Sequence, residues 1–407
     1  MKIHFHLFDL PTDLYIELQP SYRKKVFNKA LKKYGSWINF SKSLKEDVKN
    51  VRRWKSGVRS FSIRILKKMA GLRLLDEKEV EKKIIKLKKC GGHINNPKLP
   101  IVFDENLARI IAAAFCDGGI GSDYIVHYTN KDQNMRASFQ KAIRNVFGDV
   151  KLVNINERHK GIIQLNYSGV MGNILNNVFG VPRKNKIFLD TPIPKLIINA
   201  NNAIVKTFIR QCFDDEGWVS KSVRMSRTLE ENALKSKEGP LFLQQLKYLL
   251  EARFGISVKG PRLNKKREYF VKNKKIKVLD FELAICDRKS LEIFYSNIGF
   301  DIDYKMKKLK KCLDSYMLWQ SLQNDSLKFF LRECAKFVLE RDKPFSSQLI
   351  AFKTKRSKAR VSWAINELNK KGFITSVDYG INGIDRRYNH TFYTLTEKGL
   401  NTIFNFV

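Results

Sequence analysis

The sequence predicts an α+β protein in which a repeated core of helices and strands stands between a small helical segment and a second helical segment closed by a hairpin. Three observations carry that prediction. Two apolar helical runs about a hundred residues apart, 107–118 and 205–217, each end in an acid followed by glycine, and similar elements follow each of them. A Gly/Asn/Pro cluster, Gly91-Gly92-His93-Ile94-Asn95-Asn96-Pro97, breaks the chain before the repeat, where it ends a very basic helix and serves as a linker or turn. A softer break near Gln323-Asn324-Asp325-Ser326 precedes a new helical periodicity starting at Leu327. The expected domains are residues 1–98, 99–323 and 324–407. A chain of 407 residues has room for them. An apolar fraction of 43% with 28 Phe supplies their interiors and excludes a largely disordered protein.

Lys and Arg number 77 against 40 Asp and Glu, a net charge of +37 spread along the whole length. A compact chain tolerates this self-repulsion best beside a polyanion whose condensed counterions are released on binding, so nucleic acid is the first candidate partner. A lysine-rich proteome would give the same excess, and the motifs have to decide. Cys90, Cys116, Cys212, Cys286, Cys312 and Cys334 are scattered, form no C-x-x-C pair and read as buried reduced thiols. His4 and His6 alternate on an N-terminal strand with no further ligand nearby, so zinc is not expected there. No run approaches the ~20 apolar residues of a membrane span, and the first 18 residues carry Asp9, Asp13 and Glu17 where a signal peptide would be apolar. A cytoplasmic protein without a membrane partner is expected.

In the first part, residues 34–57 read as helix, tight turn, helix. Phe40, Leu44, Val48 and Val51 are expected to face inward, leaving Lys49, Arg52, Arg53 and Lys55 on a short cationic helix that fits a DNA major groove. An amphipathic helix over 63–69 braces the pair. In the last part, helices over 327–340, 346–352 and 357–371 precede strands over 373–378 and 391–396, around a loop holding Arg386 and Arg387. That is the pattern of a winged helix. Its recognition helix would bury Val361, Ile365 and Leu368 and place Lys355, Arg356, Lys358 and Arg360 at its first turn, mostly as phosphate contacts. A basic helical bundle and a protein-binding winged helix remain open as alternatives.

The repeat carries the chemistry. After the first copy come a strand near 124–129, a helix over 131–147, strands over 152–156 and 161–167, and a helix over 168–178; after the second come a strand near 218–226, a helix over 241–254, strands near 256–260 and 278–286, and a helix over 289–298. The glycine after each acid lets the chain turn sharply into its strand. Two carboxylates brought together repel and are costly to bury, so such a pair persists where divalent cations neutralise it. Asp117 and Glu216 are the expected metal ligands, and Mg2+ suits an oxygen-rich site facing phosphate. The opposing possibility is that each acid only ends a buried helix. A carboxylate there opposes the helix dipole, and that misfit favours a metal.

Both copies resemble the LAGLIDADG motif of homing endonucleases and of the endonuclease domains inside inteins, over roughly residues 102–312. The resemblance implies a pseudo-twofold αββαββα saddle, with two motif helices side by side on its axis, metal-binding acids at their C-terminal ends, and two sheets lying over double-stranded DNA. It implies double-strand cleavage of a long site, in which two metals would activate water and stabilise the leaving 3′-oxygen. Residues 187–197 resemble the Ile-Pro stretch before the second motif of intein endonucleases, and Ile298-Gly299-Phe300 with Tyr304-Lys305-Met306-Lys307 resembles the end of their second repeat. Lys305 and Lys307 are therefore expected to assist catalysis. In the first half Thr191-Pro192 stands where the corresponding lysine is expected, which leaves Lys184 or Lys186. Family helices touch through small residues; the first motif supplies Ala108, Ala112 and Cys116, whereas the second supplies Thr207, Gln211 and Asp215. Gln211 facing Ala112 would slide between the helices or spread them, and spreading favours a saddle that binds without cutting, as in bacterial regulators that join such a domain to a helix-turn-helix.

Two motifs in one chain predict a monomer. Without a nucleophilic first residue or a C-terminal Asn, the chain reads as free-standing and not as a splicing intein. The leading expectation is a monomeric, magnesium-dependent, site-specific double-strand DNA endonuclease; the alternative is a non-cleaving DNA-binding protein or transcription regulator. RNA maturation is a weaker third class, because the A-form major groove is too narrow for the flanking helices.

Overall fold

The computed structural model describes residues 3–89, 92–158, 161–183, 185–271, 274–320, 326–377 and 391–404. The chain divides into two compact units, Met1–Leu313 and Asp314–Val407. The first unit takes in both the N-terminal helical part and the repeat.

The repeat is laid out twice in the same order. The first motif helix, Glu105–Phe115, leads into strands Gly118–Ile120 and Val126–Asn130, helix Gln133–Phe147, strands Leu152–Arg158 and Ile162–Tyr167, and helix Gly169–Asn177. The second motif helix, Asn202–Glu216, leads into strands Gly217–Val219 and Val223–Glu230, helix Leu241–Phe254, strands Lys259–Val271 and Lys274–Ile285, and helix Arg288–Ile293. Each copy folds as helix, two strands, helix, two strands, helix around one four-stranded antiparallel sheet. In both sheets the short strand after the motif helix forms one edge and the later hairpin reaches the other.

Local sequence explains the motif helices. Asp104 and Asn201 cap them, their side chains accepting hydrogen bonds from the backbone of Leu107 at 3.0 Å and Ile204 at 3.1 Å. Ala108, Ala112 and Ala113 are fully buried and let the two helices pack directly on one another. The glycine after each acid is required by space, and neither has the positive φ of a left-handed turn. A Cβ on Gly118 would stand 2.7 Å from the carbonyl oxygen of His127 and 2.8 Å from that of Ala113; on Gly217 it would stand 2.6 Å from that of Phe213. Along Val223–Glu230 buried and half-buried residues alternate strictly, the period expected of a strand with one face on the core.

The N-terminal part corrects one expectation. Helices Pro20–Tyr34, Trp37–Leu44, Val48–Ser56 and Ile63–Gly71 pack through Phe27, Phe40, Trp54 and Phe61, but the basic run before Gly91 is a strand, Ile84–Lys89, and not a helix. It pairs with Tyr15–Leu18 on one side and Gly92–Asn95 on the other. Hydrogen bonding on both edges satisfies its backbone, and Lys88 pairs with Glu17 across the sheet. Lysines whose charge suggested a solvated helix thus decorate a sheet. The expected linker or turn holds a strand, Gly92–Asn95, which pairs antiparallel with Asp149–Val150 of the first repeat, so the helical part is joined to the core by one five-stranded sheet.

The second unit has helices Ser326–Arg341, Ser347–Thr354 and Lys358–Lys370 around Phe330, Cys334, Ile350, Val361, Ile365 and Leu368. Its sheet runs Phe345–Ser346, Phe392–Leu395, Ile374–Val377, and helix Glu397–Phe404 follows. The short first strand and the last helix were not legible beforehand.

Candidate active site

The ends of the two motif helices bring acids together. Asp117 lies close enough to Glu216 for the second carboxylate to raise its pKa; together with burial, which is the larger cause, this pushes Asp117 up to about 7, against the opposing pull of Lys186 and Lys305. The three acids of Asp214-Asp215-Glu216 are sorted into separate roles. Asp214 accepts the backbone N–H groups of Asp301 (3.1 Å) and Ile302 (3.2 Å), capping helix Asp303–Gln320, while burial raises its pKa to about 6. Asp215 accepts hydrogen bonds from the Tyr128 hydroxyl at 2.9 Å, the Gln211 amide at 3.0 Å and the Asn130 amide at 3.3 Å. Glu216 takes no hydrogen bond from any described residue. Asn130 also donates to Asp117 Oδ2 at 3.2 Å, so a single amide nitrogen lies within reach of acids from both motif helices.

Gln211 does slide between the helices and is absorbed by a network. Its Oε1 accepts from Arg109 Nη1 at 3.1 Å and its Nε2 donates to both oxygens of Asp215. Asp301 ties Arg109 and Arg210 together, at 2.8 and 3.2 Å, so the two helices also share a carboxylate. Replacement of Gln211 by leucine removes partners from Arg109 and Asp215 at once. It is expected to cost about 1–3 kcal/mol, read as a lower urea midpoint at unchanged slope.

Lys186 and Lys305 occupy matching places. Lys186 Nζ donates to the carbonyls of Phe115 (3.2 Å), Cys116 and Gly118 (2.7 Å) at the end of the first motif helix. Lys305 Nζ donates to those of Phe213 (3.1 Å), Asp214 and Gly217 (2.6 Å) at the end of the second. Each cation satisfies carbonyls that the helix terminus leaves without partners. Burial lowers the pKa of both. Lys307, expected beside Lys305, is exposed, two residues further along the helix and so on its other side. Lys184 lies outside the described residues.

Among the flanking cations, Lys49, Arg52, Arg53 and Lys55 are all exposed on helix Val48–Ser56, with Lys55 over the Trp37 ring at 4.8 Å. In the second unit Lys355 and Lys358 are exposed, whereas Arg356 and Arg360 lie over the rings of Phe329 (5.2 Å) and Trp363 (4.6 Å). Arg386 and Arg387 lie outside the described residues.

Residues 203–299, almost the whole second repeat, match the family model described as a LAGLIDADG-like domain. The chain carries a LAGLIDADG-like domain. Two curated proteins of Methanocaldococcus jannaschii are similar to the chain: a glutamine–fructose-6-phosphate aminotransferase, 23% identical over 70% of this chain and 24% of its own length, and a probable translation initiation factor IF-2, 28% identical over 56% of this chain and 18% of its own. The chain thus spans a quarter or less of the relatives it matches. Solved structures that align with it include a mesophilic variant of the homing endonuclease I-DmoI (15% identity, 48% of this chain and 95% of that one, TM-score 0.31), I-WcaI bound to its DNA recognition sequence (17%, 50% and 85%, 0.29), and the N-terminal LAGLIDADG domain of WhiA (11%, 51% and 86%, 0.29).

In this LAGLIDADG-like core the residues that sequence reasoning missed are Asp215, Tyr128 and Asn130. Each repeat reaches across to the other's motif helix: Tyr128 of the first sheet donates to Asp215, and Arg227 of the second sheet donates to the carbonyl of Phe115 at 2.8 Å. Strand register makes Asn130 and Arg227 counterparts, since Tyr128 pairs with Gly118 and Met225 with Gly217. The two ends of the site are therefore chemically different, an amide standing where the other half has a guanidinium. Among the described residues no group of three or more His, Cys, Asp or Glu is arranged to hold a metal. No described helix is long and apolar enough to cross a membrane.

Proposed function

We propose that the chain is a site-specific double-strand DNA endonuclease of the homing type, acting in the cytoplasm as a monomer on a long asymmetric target with Mg2+. The observation that carries this reading is Asp117 held beside Glu216 at the meeting point of the motif helices, with its carboxyl raised to about 7. Lys186 and Lys305 are engaged by backbone carbonyls and offset only part of the cost of charging Asp117, which leaves room for a cation from outside. The residues fit one: Mg2+ is usually held by one or two carboxylates completed by substrate phosphates, and Asp117 and Glu216 supply two. Bound there, the ion would lower the pKa of a water and neutralise charge on the scissile phosphate. The chain's own contribution is positional. Asn130 orients Asp117 against Asp215, and Lys186 and Lys305 fix the helix ends from which the acids project.

The two curated relatives have unrelated printed activities and match over a small share of their lengths, so what this chain has in common with them is a segment, and neither activity carries over. Helices Trp37–Leu44 and Val48–Ser56 serve in this reading as a helix-turn-helix, and the second unit as a winged helix, both adding phosphate contacts through their exposed lysines and arginines. One observation favours a regulator that binds without cutting: Asp215 is satisfied by Gln211, Tyr128 and Asn130 without any metal.

The test is incubation with magnesium and a randomised duplex library, followed by sequencing of the ends. Cut products sharing one site support the nuclease; a specific shift in binding with no cut ends supports the regulator. In either case log affinity should fall almost linearly with log salt, and a flat response would remove the cationic faces from the interface.

A further inference from the structure

The two sheets differ in the chemistry of the face turned away from the helices. On the first, Tyr128 and Tyr167 pack on Phe139 of helix Gln133–Phe147, with ring centroids 4.4 and 5.9 Å apart. Residues alternating with them, His127, Thr129, Gln164 and Asn166, therefore occupy the opposite face, where Gln164 and Asn166 are themselves buried and lie beneath the exposed Asn154. Three of them join Asn154 in an amide chain: Thr129 Oγ1 meets Gln164 Oε1 at 3.5 Å, Gln164 Nε2 donates to Asn166 Oδ1 at 2.7 Å, and Asn166 Nδ2 donates to Asn154 Oδ1 at 2.6 Å, while among the described residues the one cation that register adds to this face, Arg158, sits near His127 beyond the end of that chain. On the second sheet Arg227 lies over Phe242 of helix Leu241–Phe254, so Arg224, Ser226 and Thr228 take the open face, opposite Ala284, Glu282 and Asp280. Here the chain is ionic. Glu282, only 2% exposed, accepts from Arg224 Nη1 at 3.1 Å and Arg262 Nη2 at 2.9 Å, and Asp280 accepts from Arg267 and Thr228.

We infer that the two sheets read different bases, the first taking adenines through its amides and the second taking guanines through arginines that buried carboxylates hold in place. This rests on the proposed DNA-binding reading. In the major groove an Asn or Gln amide matches the acceptor and donor of adenine, and a guanidinium fork matches the two acceptors of guanine. A carboxylate as buried as Glu282 is costly unless paired, so its arginines are bound to it and their orientation is set before the duplex arrives. Arg262 contacts Glu282 through Nη2 while its side chain stays 59% exposed, so it presents the remaining edge of its fork outward. The bound duplex is consequently uneven: rich in G·C under one sheet and in A·T under the other.

The full chain, kept free of divalent metal, is incubated with a randomised duplex library and the bound fraction sequenced. One enriched site is expected, with guanines specified in one half and adenines in the other. Arg262→Lys keeps the charge but loses the fork, and should lower guanine preference about tenfold at positions in one half only. Asn154→Ala, at an exposed position, and Gln164→Ala should relax adenine preference in the opposite half. The same base class in both halves, or variants of the two sheets acting on the same half, overturns the inference and leaves DNA binding standing. No enriched site at all removes the DNA-binding reading and the base assignment with it.

Discussion

Asp117→Asn should abolish cleavage while making the metal-free protein more stable at pH 8. The substitution keeps the shape of the side chain, so Asn130 can still donate to the remaining oxygen and duplex binding should persist. Loss of one of two metal-holding carboxylates removes several kcal/mol of transition-state stabilisation, at least about a thousandfold in rate. The gain in stability follows from the carboxyl itself. It is taken out of water and set against Glu216, which raises its folded-state pKa from 3.8 to about 7. Between those values the folded protein keeps a proton that the unfolded chain has released, so stability falls as pH rises through this window and the loss is complete above about 7. An amide has nothing to ionise. Removing the penalty should return on the order of a few kcal/mol, several degrees in Tm at pH 8 and little at pH 4. Addition of Mg2+ should stabilise the parent chain at pH 8 and leave the variant almost unmoved. A variant less stable than its parent at pH 8 would mean that Asp117 is a structural acid, and a variant that still cuts would remove it from the metal site.

Much of this was readable beforehand because it depends on local pattern. The motif helices announce themselves by apolar periodicity ending in an acid and a glycine, and Leu241–Phe254 was placed with the bounds observed. What escaped was set by contacts between the repeats. Asp215 looked like a defect at a position where the first motif has Cys116, and only the fold brings Tyr128 and Asn130 of the opposite sheet to it. Gln211 looked like a wedge for the same reason; its partners Arg109 and Asp215 lie 102 and 4 residues away. The strand Ile84–Lys89 was hidden by its lysines, since pairing on both edges outweighs the weak helical preference of a charged run. Lys305 was expected at the site from the resemblance and Lys186 only as a substitute, yet three matching carbonyls make the two lysines counterparts across the pseudo-twofold axis.

That pairing gives the sharpest test of the site's two halves. Lys305 is 5% exposed and its ammonium answers three carbonyls at the end of the second motif helix. Lys305→Met should leave those acceptors buried without partners, at a cost of about 2–4 kcal/mol. Lys186, half-buried, should cost less when changed in the same way. If the lysines did nothing but cap, the folded fraction of each variant would cut both strands at the parent's rate. In the proposed nuclease each lysine instead holds one helix terminus, with its acid, against one strand of the duplex. Slowing of one cut by about a hundredfold would then accompany a near-normal second cut, because an ångström of misplacement at one acid need not reach the other. The readout is accumulation of nicked circles, and the strand left intact should be opposite in Lys305→Met and Lys186→Met. Equal slowing of both strands in either variant would mean that the motif helices move as one body and that the ends of the site are not independent.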